Sequence, residues 1–130
     1  MEKIRADFTG GFCTDAQSRV EIARLWENGY LMDTHTAVAS RVLEDLRAQE
    51  EKSSPCIIVS TASPFKFSGT VLDALGVKTD ETGPSLMDEL TAVTGVSAPK
   101  PLAALSGKPV RFEEWVAVDK MEEAVSVFLS

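Results

Sequence analysis

The sequence has 130 residues, with 13 lysines and arginines against 20 aspartates and glutamates and a formal charge of −7. That length fits one domain, the composition of 44% hydrophobic and 25% charged residues is that of a soluble globular protein, and a pI near 4.7 argues against nucleic acid as a partner, because binding a phosphate backbone needs a basic surface. No run approaches the roughly 18–20 apolar residues of a membrane span and no basic-then-apolar leader opens the chain, so the expectation is no membrane partner and a cytoplasmic location.

Gly10-Gly11 is a turn signal, too short for a dinucleotide fingerprint. Thr14 followed by Gln17 has the form of a capping box. Ala16, Val20, Ala23 and Leu25-Trp26 then recur at helical spacing up to Gly29, a residue suited to ending a helix. A second helix is predicted after Asp33, with Ala37, Val38, Val42, Leu43 and Leu46 on one stripe and Arg41, Glu44, Asp45 and Arg47 outside it. The polar run from Gln49 to Ser54 ends this helix, and Pro55 opens a new segment.

Ile57-Ile58-Val59 is short, apolar and β-branched, which predicts a buried strand over 56–60 of the kind found in parallel sheets. Ser60-Thr61-Ala62-Ser63-Pro64 reads as a polar loop at its carboxyl end, followed by a short helix through Val71, Leu72 and Leu75 that Gly76 closes. Strand, polar loop and helix is the order in which open α/β sheets place ligand sites. Residues 77–83 read as a surface connection. A further helix runs from Pro84 through Leu86, Met87, Leu90 and Val93 to Gly95. Ser97 to Pro101 resembles a linker, and Pro109-Val110-Arg111-Phe112 reads as the start of a short strand. Asp119 with Glu122 offers a cap for a final amphipathic helix whose buried face is Met121, Ala124, Val125 and Phe128. The expected fold class is therefore α/β and helix-rich: a single unit over 1–130, with one buried strand and surrounding helices.

The thiols Cys13 and Cys56 fit no zinc spacing, and His35 is the sole histidine, so no metal site is expected. Cys56, at the head of the apolar run, reads as a small buried hydrophobe.

Chemistry concentrates in two pieces, 29–39 and 60–67. The second supplies hydroxyls, loop amides and Lys66, which suit the polar end of a small ligand or a phosphate. The first places Asp33, His35 and Thr36 at a helix start, where N–H groups and the dipole favour an anion. A protonated His35 and Lys66 can jointly face a phosphate. Each residue also has a plainer reading: Asp33 as a helix cap, His35 as a structural histidine, Thr61 and Ser63 as turn formers, and Lys66 as a solvated lysine between Phe65 and Phe67.

The stretches GYLMDTHTAVASRVL and IIVSTASPFKFSGTVLDALG together resemble the carboxyl-terminal third of threonine synthases of the longer bacterial and fungal type. In that family a glycine-tyrosine turn leads to an acid, a histidine and an alanine-valine helix. A buried strand then ends in threonine-alanine-serine or -histidine-proline, followed by lysine-phenylalanine. The likeness extends back to DFTGGFCTDAQ and forward through KPLAALSGKPVRFEEW, and so covers nearly the whole chain.

The resemblance implies a carboxyl-terminal segment of a type II pyridoxal-phosphate enzyme that converts O-phospho-L-homoserine and water to L-threonine and phosphate. Thr61 matches the hydroxyl that meets the pyridine nitrogen of pyridoxal 5'-phosphate, where a neutral partner moderates the electron sink. His35, Lys66 and Ser63 match positions near the cleft and become candidates for the substrate phosphate. The family's cofactor-bearing lysine and Gly-rich phosphate loop lie upstream in the complete enzyme. Lys3 and Lys66 stand in the wrong contexts for that lysine, so the resemblance assigns no catalytic residue to this chain. The implied partner is the remainder of the threonine synthase chain, and the segment alone is expected to be inactive with no cofactor held covalently. The alternative is a stand-alone binding or regulatory domain of the same descent; a related phospho-amino-acid substrate also remains open.

Overall fold

The computed structural model describes residues 2–49 and 54–130. A short helix α1, Glu2–Asp7, opens the chain; the sequence carries no cap or periodicity that announces it. Helix α2, Asp15–Glu27, starts as its capping box predicts: Thr14 accepts from the Gln17 N–H, and the Gln17 side chain accepts from the Thr14 N–H at 2.8 Å. It ends at Asn28, and Gly29 takes a φ of 85° that a side chain would oppose. Helix α3, Thr34–Arg47, is capped by Asp33. A 3-10 turn, Pro64–Phe67, leads directly into α4, Ser68–Ala74. Helix α5, Ser85–Thr94, stops at a left-handed Gly95. A one-turn helix α6, Lys100–Ala103, and a 3-10 turn, Val118–Lys120, precede α7, Met121–Leu129.

Helix α2 packs on both α3 and α4, and α4 also packs on α5. The core is Ile22, Met32, Ala37, Phe65, Val71, Leu72 and Leu90, with Leu25, Leu31, Leu75, Leu86, Met87 and Leu102 half-buried around it. A buried polar cluster pins the α2–α3 seam. The buried Glu21 carboxylate holds Arg24 through two bonds of 2.6 and 2.9 Å, and it accepts from the Ser40 hydroxyl of α3 at 2.6 Å. An exposed ion pair, Arg19–Asp73 at 2.7 Å, ties α2 to α4.

Gly11 finds its use in this packing. A Cβ placed there would lie 2.4 Å from Cγ1 of Val42 on α3, a β-branched side chain with little freedom to yield. Gly11→Ala is expected to destabilise the fold by about 1–2 kcal/mol, whereas Gly10→Ala, with open space around it, is expected to stay within about 0.5 kcal/mol. Paired urea titrations check the contrast, and equal midpoints for the two variants would refute the close approach.

The expected α/β class is corrected. Among the described residues there is no strand, and the fold is helical and irregular throughout. Residues 56–60 form irregular chain instead of a buried strand: Ile57 is 93% exposed, Val59 is 72% exposed, and Cys56 is exposed rather than buried. A β-branched run reports a preference for extended backbone, but a ladder needs a second strand to exchange hydrogen bonds, and no described residue provides one. The short strand expected at 109–112 is likewise absent, with Val110 and Phe112 exposed. The linker expected at 97–101 is shortened by α6, whose first turn accepts Pro101 because a proline lacks only an N–H that would be orphaned there.

The last helix forms as predicted, but its apolar face is not buried. Met121 and Val125 are each 56% exposed and Phe128 is 76% exposed. Its N-cap residue is Lys120, which makes no side-chain cap bond, so the Asp119–Glu122 cap does not form. Of the polar run predicted to end α3, residues 50–53 lie outside the described residues; Ala48 closes the helix.

Candidate functional site

Asp33 sits at the N-cap of α3, wholly buried, where the side chain satisfies helix N–H groups that have no partner within the helix. Its Oδ1 accepts from the His35 N–H at 2.9 Å and from the Thr36 N–H at 3.4 Å. Its Oδ2 accepts from the Thr36 hydroxyl. The Thr36 and Ser60 hydroxyl oxygens lie 3.1 Å apart. A threonine hydroxyl carries one proton, and Thr36 commits it to the carboxylate, so Ser60 is the donor in that second bond. The chain Ser60 to Thr36 to Asp33 thus joins the two sequence pieces across 24 residues of sequence.

The 3-10 turn completes the arrangement. Ser63 caps it by accepting from the Phe65 N–H at 3.3 Å, and its carbonyl accepts from the Lys66 N–H at 3.0 Å. Phe65 is buried in the core, which anchors the turn and leaves Lys66 and half-buried Phe67 outward. The Phe67 ring stands 5.0 Å from the His35 ring, tilted by 50°, and the Lys66 Nζ lies 5.4 Å from the same ring. Phe67 is therefore a shared platform for the two groups that can carry positive charge. A cleft of about 470 Å³ adjoins it, walled by Phe65, Phe67, Leu86, Met87 and Leu102, with Lys66 as the charged residue of its lining.

Of the candidates, His35 and Lys66 are brought to one aromatic ring. Ser63 makes the bond of a turn former, the plainer of its two readings. Thr61 is exposed, and among the described residues its hydroxyl makes no hydrogen bond, so turn formation does not account for it. Sequence reasoning passed over Ser60 and Phe67. Ser60 had no signal beyond its place in a hydroxyl-rich loop, since its partner is remote in sequence; Phe67 was visible as an aromatic flanking Lys66.

Elsewhere the titratable groups are structural. The Arg24 guanidinium beside Glu21 holds its carboxyl below the usual range against the opposing effect of burial, and the Ser40 hydroxyl adds to the lowering. Burial pushes the Cys13 thiol up, which leaves it less thiolate and less reactive at neutral pH. Among the described residues no three His, Cys, Asp or Glu side chains gather as a metal site, and no helix is long and apolar enough to cross a membrane.

Comparison with known proteins gives the family of the chain. Residues 36–128 match the family "Threonine synthase, C-terminal". Threonine synthase-like 1 of Mus musculus is 34% identical over 79 residues, which is 60% of this chain and 10% of that protein. The proteins of the same name from Pongo abelii and Homo sapiens are 36% and 34% identical over the same coverage. The chain spans about a tenth of the length of these curated relatives. The matched stretch includes Thr36, Ser60, Thr61, Lys66 and Phe67 and most of the chain, so the protein belongs to the threonine synthase carboxyl-terminal family.

Proposed function

We propose that residues 29–39 and 60–67 form one wall of a threonine synthase active site, one that uses pyridoxal 5'-phosphate to turn O-phospho-L-homoserine and water into L-threonine and phosphate. The observation that carries this is the Ser60–Thr36–Asp33 chain, which ties the loop that bears Thr61 to the helix start that bears His35, whose ring shares the Phe67 platform with Lys66. The donor set suits part of a cofactor cradle. Thr61 offers an unengaged neutral hydroxyl for the pyridine nitrogen, whereas the lysines among the described residues are all exposed and none has the setting of a cofactor-bearing lysine. When bound, the cofactor supplies an electron sink for the substrate's carbon skeleton.

The remaining work falls to this chain's own side chains. Lys66 and a protonated His35 meet the substrate phosphate as charge-assisted donors. Phe67 holds both in place, Ser63 keeps the turn that points Lys66 outward, and the apolar cleft walls limit water. The cofactor-bearing lysine comes from a portion of the polypeptide other than these 130 residues, and this chain alone turns over no substrate. A second reading, a stand-alone binding or regulatory domain, draws on the core that α2 to α5 build among themselves.

Thr61→Val in the polypeptide that contains the lysine tests the first reading. Losing one hydrogen bond of about 1.5 kcal/mol is expected to lower kcat about tenfold, with the melting temperature unchanged because Thr61 is exposed. An unaltered kcat would return Thr61 to the loop surface. Phosphate release by the 130-residue chain alone, given cofactor and substrate, would refute its inactivity and count against the one-wall reading.

A further inference from the structure

We propose that Asp33 is a positioning residue that sets the tautomer of His35, so that Nε2 is the ring atom presented outward. The cap role explains only part of what Asp33 does. Capping uses one side-chain oxygen on backbone N–H groups, and Oδ1 makes those bonds to His35 and Thr36. The same oxygen also lies 3.3 Å from the His35 Nδ1, while Oδ2 is held by the Thr36 hydroxyl. The Asp33 side chain is fully buried and the His35 side chain 64% exposed, so the ring reaches from solvent back onto a carboxylate that cannot turn away.

The proton inventory gives this contact its direction. An ionised carboxylate only accepts, so a hydrogen bond between Asp33 and Nδ1 requires the proton on Nδ1. The Thr34 hydroxyl oxygen, 3.4 Å from the same nitrogen, can share that proton as a second acceptor. The contact is long for a hydrogen bond, and the Phe67 ring, 5.0 Å away and tilted by 50°, flanks the imidazole on another side. In the neutral ring Nε2 is then the acceptor; in the charged ring it is a donor. A carboxylate that fixes an imidazole in this way leaves the outer nitrogen able to take up or release a proton at a defined place. His35 is thereby assigned a proton-transfer task towards the substrate in addition to charge. That consequence rests on the site reading above; the tautomer itself does not.

The test uses the 130-residue chain, in which His35 is the sole histidine and gives one pair of ring-nitrogen signals. Nitrogen-15 correlation spectra recorded well above the ordinary imidazole titration range are expected to show a pyrrole-type Nδ1 and a pyridine-type Nε2. Asp33→Ser keeps an N-cap oxygen and removes the carboxylate, so helix content is expected to persist while the signals shift towards the Nε2–H form. A wild-type ring already in the Nε2–H form, or a folded Asp33→Ser variant with unchanged signals, would overturn the proposal. If Asp33→Ser does not fold, Thr34→Val separates the two Nδ1 partners: retention of Nδ1–H assigns the hold to Asp33, and its loss assigns it to Thr34 and overturns the proposal. These spectra need no cofactor or substrate, so a failure of the threonine synthase reading would leave them interpretable.

Discussion

Replacing Leu72 by alanine is expected to destabilise the fold by about 3 kcal/mol and to lower its melting temperature by about 10 °C. Leu72 is wholly buried on α4, the helix that packs on both α2 and α5, and it belongs to the cluster with Ile22, Ala37 and Leu90. Truncation removes the burial of most of the side chain and leaves a void that well-packed neighbours fill only in part. A core of this size gives few other places to compensate. The matched control is Phe128→Ala on α7, which deletes a larger side chain that is 76% exposed; it is expected to change stability by no more than about 0.5 kcal/mol. Thermal and urea unfolding of the two variants decide the matter. A loss below about 1 kcal/mol for Leu72→Ala, or an equal loss for Phe128→Ala, would contradict the division between packed core and open carboxyl-terminal helix.

The second large effect lies at Glu21 and depends on pH. Its carboxyl is held below the ordinary glutamate value chiefly by the Arg24 hydrogen bonds, with the Ser40 bond adding to them and burial opposing. A group with a lowered folded value favours the folded state once ionised. The contribution is therefore fully present above the unfolded value, about 4.3, and is lost as pH falls through the folded value. Glu21→Gln keeps the shape, loses the charge and replaces one accepting oxygen by a donor. It is expected to cost about 1–2 kcal/mol at pH 7, the lower part of the range for charged hydrogen bonds because Arg24 is 44% exposed and partly screened by water. The wild-type advantage over Glu21→Gln is expected to shrink as the pH is taken from neutral into the acid range below the ordinary glutamate value. Urea titrations of both proteins across that range measure it, and a pH-independent difference would show that the Glu21 charge contributes nothing to stability.

Local order was legible in the sequence wherever a signal and its effect lie within a few residues. Thr14 and Gln17 specify a start, Gly29 and Gly95 specify stops, and Asp33 specifies a cap, because each acts on backbone groups of its own turn. The site was legible in part. The residue types at 33–36 and 60–67 announced polar chemistry, yet the bond between Thr36 and Ser60 and the tilted contact of His35 with Phe67 join residues 24 and 32 positions apart, which no local pattern encodes. Ser63 has a local role that its own turn explains: its hydroxyl oxygen accepts from the Phe65 N–H two residues on.

The apolar patterns that misled, Ile57-Ile58-Val59, Val110 with Phe112, and the α7 face, share one cause. Hydrophobic periodicity states which side of a segment prefers burial, and it carries no information about what is there to cover it. Val71 and Leu72 meet α2 and α5 and are buried; Met121, Val125 and Phe128 have equally regular spacing and stay in solvent. The 130 residues and the charge of −7, with the caps and the paired motifs, by themselves determined a helix-rich acidic chain and the family to which it belongs. Only the tertiary structure decided that no sheet forms among the described residues, which apolar faces are covered, and that a buried aspartate joins the two halves of the site. Capping is a contact between near neighbours, whereas pairing, burial and a shared hydrogen-bond hub each need a partner that the chain brings close only on folding.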